Sequence, residues 1–446
     1  MKLFPNPPII TWVRFVADAP PGLKAALQYT LNMRLVRLCA LFCALLVTTL
    51  SAAITPAEYQ ARRADLRKSL DGVMVLFGAD EPDDLHASFF QESNFLYLSG
   101  WREPGAIMLL TAQTEILFLP ARDPRAELYT GPKLGADNPN AAKATGFDRV
   151  MPKSALESAF LKVLETSPRV YTIPGDPRGQ KLKSLAIFHN EGDAAQAIAR
   201  LRMVKSAAEI ELITKATDVT VAAHLAGWKK TRPGVWEYEV AAVMTNVYFE
   251  HGCERNAYPP IIGSGPNSVV LHYMTNHRRI DAGEVVVADV GAECSDYATD
   301  ITRTVPAGGK FSARQREIYE IVLGAQKAAI AAVKPGARLR ADGPSLYQIA
   351  YDYINSHGKD LHGQPLGKYF THGLGHSVGL DVHDPGDSTA PLKPGTVITI
   401  EPGIYIPEEN IGVRIEDIVL VTDDGCKVLS AALPREIADI EKLVGK

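Results

Sequence analysis

Four acidic residues set within, or at the end of, strongly apolar strand segments constrain this chain more than any other feature. Glu284-Val-Val-Val-Ala-Asp289-Val-Gly precedes a polar turn region, and Tyr297-Ala-Thr-Asp300-Ile-Thr-Arg-Thr-Val305 follows it. A hairpin centred between Cys294 and Ser295 predicts Asp289 directly opposite Asp300, where cross-strand Cβ atoms stand about 5 Å apart on one face. Val397-Ile-Thr-Ile-Glu401 stops at Pro402-Gly403 and leaves Glu401 at a strand end. Gly412–Val421 reads as one further strand, and its period of two puts Arg414 and Glu416 on one face, Val413 and Ile415 on the other. A single strand glutamate is ordinarily solvated. Several carboxylates in apolar surroundings repel one another unless some take protons or a cation sits among them.

A histidine-rich segment supplies a further donor. In His372-Gly-Leu-Gly-His376-Ser-Val-Gly-Leu-Asp-Val-His383 the first two histidines have the i, i+4 spacing of a helical zinc pair. Gly373, Gly375 and Gly379 argue against a long helix there. Asp289, Asp300, Glu401 and Glu416 with one imidazole instead make an oxygen-rich set. Such a set suits two hard or borderline divalent cations, such as manganese, better than a thiolate zinc site. Ions in a two-metal site stand about 3.5–4 Å apart, and water bound to such ions can ionise near neutral pH.

The region around these residues is organised as a repeat. Ser206-Ala-Ala-Glu209 is a capping box that opens a helix to about Lys230. Arg232-Pro233-Gly234 ends it. A second helix, with Val240, Val243, Met244, Val247 and Tyr248 on one face, stops at His251-Gly252. Ser312-Ala-Arg-Gln315 opens the same plan again, with breaks at Lys334-Pro335-Gly336 and His357-Gly358. Each helix pair precedes a strand-rich block, which predicts an internal duplication. Upstream, residues 54–195 read as an α/β domain. Ala57–Leu70 has helical period, Gly72–Phe77, Ala106–Thr111 and Glu115–Leu119 suit buried strands, and the Pro/Gly-rich stretch 167–179 is expected to break regular structure. Residues 196–446 form the second domain.

Met33-Arg-Leu-Val-Arg, an apolar run from Leu38 to Leu50 and Ser51-Ala52-Ala53 together read as a secretory signal peptide over residues 33–53. The apolar run would rise only about 20 Å as a helix, short of a hydrocarbon core of roughly 30 Å, so no stable membrane span is expected. Residues 1–32 look like an extension before a true start at Met33, and the mature protein is expected to be periplasmic or secreted. A formal charge of −4 carries no basic footprint for nucleic acid. Beyond Cys39 and Cys43 in the leader, Cys253, Cys294 and Cys426 are far apart with no CxxC pair. They indicate neither a disulfide framework nor a zinc finger, while leaving one disulfide open.

Taken together, Asp300-Ile-Thr-Arg-Thr, His372-Gly-Leu-Gly-His376, Glu401-Pro-Gly-Ile-Tyr405 and Arg414-Ile-Glu416-Asp417 resemble the metallopeptidases of the pita-bread fold. These include methionine aminopeptidase, prolidase and aminopeptidase P. Phe90-Gln-Glu-Ser-Asn-Phe-Leu-Tyr-Leu-Ser-Gly100, Glu103-Pro and Asp123-Pro-Arg-Ala-Glu-Leu-Tyr-Thr-Gly131 place the resemblance nearest aminopeptidase P, although Leu96 stands where some relatives carry a bulky aromatic. The resemblance implies an α/β (α+β) chain: an N-terminal α/β domain followed by a pita-bread catalytic domain with pseudo-two-fold internal duplication. It implies Asp289, Asp300, His376, Glu401 and Glu416 as ligands of two divalent ions, Mn2+ foremost and Zn2+ or Co2+ as alternatives. It implies catalytic roles for Glu401, His383 and His272, and substrate contacts from His272, His372, His383 and Arg414. The implied reaction is attack of a metal-bridging hydroxide on the bond before a proline in the second position. The proline ring removes a backbone N–H and fixes φ, which excludes ordinary peptidases. Peptides with proline second are then the partners, and a homo-oligomer, dimer or tetramer, is expected. An Xaa-Pro dipeptidase is the nearest alternative. A non-catalytic binding protein, or a metal-free hydrolase of the creatinase kind, is disfavoured because no ligand position is substituted.

Overall fold

Apolar residues at alternate positions line one face of a sheet in the first part of the chain. A computed structural model describes residues 53–84 and 86–445. The extension and all but the last residue of the expected signal peptide lie outside them. Strands Val73–Phe77, Ile107–Leu110 and Glu115–Leu119 arise where the apolar runs predict them. They join Arg149–Pro152, Arg169–Thr172 and Asn190–Asp193 in a six-stranded mixed sheet, with Val73–Phe77 between Ile107–Leu110 and Arg169–Thr172. Val73, Val75, Phe77, Ile107, Leu109, Ile116 and Phe118 face a core closed by Phe160, Leu164, Leu182 and Ala186. Met74, Leu76, Met108 and Leu110, on the opposite face, are equally buried. A sheet covered on both sides accounts for strands that read as unbroken apolar runs.

The stretch 167–179 departs from expectation. It contributes the strand Arg169–Thr172, paired in parallel with Val73–Phe77. Its prolines and glycines stand outside those four residues, so Arg-Val-Tyr-Thr is free to enter the ladder. The helix Ala194–Arg202, capped by Asp193, runs without a break past residues 195–196 into the second half of the chain.

Both capping boxes form. Ser206 Oγ accepts from Glu209 N (3.2 Å) while Glu209 Oε2 accepts from Ser206 N (2.9 Å). Ser312 and Gln315 repeat the pattern. The helices they open, Ala207–Lys230 and Ala313–Ala331, each pair with a shorter one, Glu237–Glu250 and Leu346–His357. Each pair crosses at a glycine: a Cβ on Gly227 would meet Met244 at 2.8 Å, and one on Gly324 would meet the Tyr353 hydroxyl at 2.3 Å. The duplication is thus visible in packing as well as in order. Among the described residues no helix is long and apolar enough to cross a membrane.

After the first helix pair, Ile261–Ser264, Val285–Val290 and Ile301–Pro306 form an antiparallel sheet. After the second, Val397–Ile400, Asp417–Val421 and Cys426–Val428 form another, and Gly403–Ile406 pairs with Ile411–Arg414. The two blocks meet where Glu416 N donates to Thr302 O (3.0 Å), and where Thr304 Oγ1 both donates to Arg414 O and accepts from Arg414 N (3.0 Å each).

Two local expectations need correction here. The hairpin turns at Ser295-Asp296, closed by the pair Cys294↔Tyr297, so Asp289 lies opposite Thr302 rather than Asp300. Ser295 and Asp296 both have left-handed backbones (φ 55° and 69°), the geometry of a two-residue type I′ loop. The register therefore slips by two residues. A slip of two keeps each side chain on its face, and Asp300 becomes the diagonal neighbour of Asp289. Gly412–Val421 is also not one strand: Ile411–Arg414 and Asp417–Val421 belong to different sheets, and Ile415-Glu416 forms the crossover.

Candidate metal centre

The two strand blocks bring the expected carboxylates together. Single oxygens of Asp289, Asp300 and Glu416 lie within 4.8 Å of one another, and so do donor atoms of His376, Glu401 and Glu416. Glu416 is common to both triads. Asp300, His376 and His383 form a third such group. The crossover that breaks the expected strand is what turns Glu416 toward both sets.

Local hydrogen bonds aim the donors. Thr302 Oγ1 donates to Glu416 Oε2 (2.6 Å), and Thr399 Oγ1 donates to Glu401 Oε1 (3.1 Å) while accepting from His376 N (3.0 Å). His376 Nδ1 sits 3.0 Å from Ser377 O, which leaves Nε2 facing Asp300 (3.5 Å) and Glu401 (3.6 Å). A backbone carbonyl on one ring nitrogen is the usual way to fix an imidazole for a metal on the other. His372 and His376 do not share a helix, as their glycines predict. Gly375 is required: a Cβ there would stand 2.0 Å from Thr399 O.

Tyr258 has no forewarning in the sequence. Its buried hydroxyl lies 2.5 Å from Asp289 Oδ1 and also contacts Asp300 Oδ1. A tyrosine ahead of Pro259-Pro260 carries no period or motif that would mark it. Arg414 reaches Asp289 Oδ2 (2.5 Å), the Tyr405 hydroxyl (2.7 Å) and Thr302 Oγ1 (3.2 Å). His372 has Nε2 against the same tyrosine hydroxyl (2.9 Å) and Nδ1 against Gly373 O (2.8 Å). Arg414 and His372 are thus engaged mainly with the protein. His272 and His383 are exposed, and the His383 ring centroid lies 4.1 Å from that of His376. All nine residues singled out from the sequence line one cavity of about 260 Å³.

The electrostatics of this cavity call for positive charge. Burial raises Glu416 well above the usual carboxylate range, and Asp300, Glu401 and Asp289 add to the rise. Burial and the charge of Asp289 likewise raise Asp300. Glu401 is pushed up to about 7 by burial, against the pull of His376. Burial acts upward on Asp289 too, but Arg414 and the Tyr258 hydroxyl hold it below its usual value. His376 responds the other way: burial would lower it, yet Asp300 lifts it to about 9. His372 falls to about 4 through burial and Arg414. A field that holds a proton on a half-buried imidazole also attracts cations. Oxygen donors with one imidazole, in two triads sharing a carboxylate, fit a pair of hard or borderline divalent ions.

Comparison with known proteins agrees with this geometry. Residues 211–423 match metallopeptidase family M24, and residues 59–171 match the aminopeptidase P N-terminal domain. An Xaa-Pro aminopeptidase of Haemophilus influenzae is 35% identical over 426 residues, covering 88% of this chain and 98% of the relative. Human Xaa-Pro aminopeptidase 3 is 36% identical, covering 81% of this chain and 78% of the relative. The structure of Escherichia coli aminopeptidase P with the inhibitor Pro-Leu matches with a TM-score of 0.78 at 29% identity, covering 87% of this chain and 98% of that one. Both halves of the chain are accounted for in this way, and the protein belongs to metallopeptidase family M24, with an aminopeptidase P N-terminal domain ahead of its catalytic domain.

Proposed function

We propose that the protein releases the N-terminal residue from peptides with proline in the second position. The observation that carries this reading is the pair of donor triads joined through Glu416, lining one cavity with the exposed His272 and His383. The Xaa-Pro aminopeptidase activity named for the Haemophilus influenzae, human and Escherichia coli relatives supports it.

Asp289, Asp300, His376, Glu401 and Glu416 would hold two divalent cations, which when bound supply Lewis acidity and activate water at neutral pH. Glu401 accepts the proton of the attacking water and returns it to the leaving prolyl nitrogen. His383 donates to the oxyanion that develops on the scissile carbonyl. His272, which lines the same cavity, contacts the substrate. Arg414 and Tyr258 keep Asp289 oriented, and Tyr405 holds His372. Thr302 and Thr399 fix the aim of Glu416 and Glu401.

Manganese is the proposed native metal, on the hardness of the donor set; a zinc-substituted aminopeptidase P from Escherichia coli is among the matching structures. A homo-oligomer, dimer or tetramer, is proposed from the family resemblance. Export is proposed from the leader at 33–53 and from the Cys253–Cys294 disulfide, a bond that persists in oxidising compartments.

The decisive assay compares an Xaa-Pro dipeptide with a longer Xaa-Pro peptide on purified protein, with metal analysis of the same preparation. Release of Xaa from the longer peptide is expected. Cleavage of the dipeptide alone would make the protein a dipeptidase.

A further inference from the structure

His383 is exposed, and among the described residues its ring makes no hydrogen bond. Apart from its contact with the His376 ring, its aim is set by the backbone on either side, at Asp381 and Asp384. Both carboxylates are held by residues far away in sequence. Arg202, 2% exposed, lies at the end of the helix Ala194–Arg202. Its Nη2 reaches Asp381 Oδ2 (2.7 Å) and Asp384 Oδ1 (2.5 Å), and its Nη1 reaches Asn94 Oδ1 (2.9 Å). Lys205 Nζ stands 3.0 Å from Asp384 Oδ2. Ser93 Oγ donates to Asp381 Oδ1 (2.6 Å). Asp381 N in turn donates to Asp384 Oδ1 (3.2 Å), and Asp384 N donates to Ser377 O (2.9 Å), beside His376.

Ser93 and Asn94 begin a helix of the N-terminal domain, Ser93–Ser99. The cluster thus ties two distant parts of the chain, Ser93-Asn94 and Arg202–Lys205, to Asp381 and Asp384. Its charges balance: two cations, Arg202 and Lys205, meet two carboxylates. Burying such a set gains little stability over apolar packing. What it does provide is a fixed backbone on both sides of His383.

We propose that Arg202, Asp381 and Asp384, with Ser93 and Asn94, are positioning residues for His383, so that the N-terminal domain sets the geometry of the catalytic loop. This rests on the reading above that His383 contacts the reacting carbonyl. A misplacement of about 1 Å at such a distance from the chemistry can cost roughly 10²-fold in rate.

Asp381→Ala and Ser93→Ala test the latch, because the Asp381 side chain is 45% exposed and both changes leave the Arg202–Asp384 pair in place. Each is combined with His383→Ala, and kcat, KM, bound metal and unfolding midpoint are measured. Asp381→Ala is expected to lower kcat about 10- to 100-fold, with KM and metal content unchanged. In the His383→Ala background the same change should cost less than about twofold, as expected when two residues act as a unit. The His383 imidazole resonance should shift or broaden in Asp381→Ala alone, and Asp381→Asn should restore part of the loss. Unchanged kcat in both single variants, or losses that multiply fully with His383→Ala, would overturn the proposal. If His383→Ala itself cleaves like the wild type, the assigned role of His383 fails instead. The imidazole resonance then decides the latch: a shift supports it, an unmoved signal ends it.

Discussion

Glu416 and Asp417 are consecutive, almost wholly inaccessible to solvent, and opposite in fate. Asp417 points into a cluster where Oδ1 meets Arg303 (2.6 Å) and Ser430 (2.6 Å), and Oδ2 meets Gln326 (2.9 Å) and Arg435 (2.9 Å). Burial would raise its pKa, but Arg303, Ser430 and Arg435 together hold it below the usual range. Glu416 points the other way, into Asp289, Asp300 and Glu401, with one hydrogen bond from Thr302. Burial and three neighbouring carboxylates drive it well above the usual range. Depth of burial is the same for both. What separates a structural carboxylate from a site is the charge that balances it: Asp417 has arginines, whereas Glu416 needs something the chain does not carry.

The largest effect expected from this contrast is on turnover. Asp300→Ala should remove bound metal and lower kcat/KM by about 10⁴-fold, roughly 5 kcal/mol of barrier. Metal analysis and peptide hydrolysis of one preparation would show both. A variant that keeps full turnover in chelator-treated buffer breaks the comparison on the Glu416 side. On the other side, Asp417→Ala leaves Arg303 buried without its counter-charge. Its expected cost is about 3–5 kcal/mol of folding stability, read by denaturant titration. A loss below roughly 1 kcal/mol would mean that the arginines do not depend on Asp417, and the two clusters would no longer be opposites.

Next in size is the response to metal. Manganese at about 100 times its dissociation constant should stabilise the wild type by roughly 2.7 kcal/mol. Glu416→Gln, which removes the carboxylate common to both triads, should abolish that gain while leaving the metal-free fold at least as stable. A thermal shift with manganese that persists in Glu416→Gln would place the metal elsewhere. Asp417→Ala, by contrast, should lose stability with or without metal.

The same contrast explains what the sequence made legible. The metal-facing residues each lie in or next to an apolar strand or beside a glycine break, so their environment could be read locally. Asp417 also lies in an apolar strand. Its partners Arg303, Gln326 and Arg435 sit in different elements, so no window of sequence shows that it is neutralised. Tyr258 was invisible for the same reason: its role depends on contacts 31 and 42 residues away. The helix pairs and their capping boxes were legible because helical period and N-cap chemistry are local. The hairpin register was not, because Ser295 and Asp296 adopt left-handed backbones without a glycine to announce the turn. The Arg202 cluster joins residues up to 288 apart, and only the fold assembles it.

Glu293 falls between the two extremes and gives the smallest effect. It is 5% exposed and has a single cationic partner, Arg255 Nε at 2.7 Å, whose side chain is 44% exposed. Burial pushes it up to about 7, Arg255 pulls it back only in part, and Asp296 and Glu254 add to the rise. The folded state therefore holds this proton more tightly than the unfolded chain, whose value is near 4.5. Stability from this group is complete below about pH 4.5 and falls as pH rises toward about 7, where folding must carry the buried charge. Glu293→Gln keeps an acceptor for Arg255 and removes the titration. Its stability relative to wild type should grow across that pH window, by on the order of 1 kcal/mol, and level off above it. Unfolding midpoints at pH 5, 6, 7 and 8 would show the difference. A difference constant with pH would mean that the half-exposed Arg255 already balances Glu293 as fully as Arg303 balances Asp417, and partial neutralisation would have no separate signature.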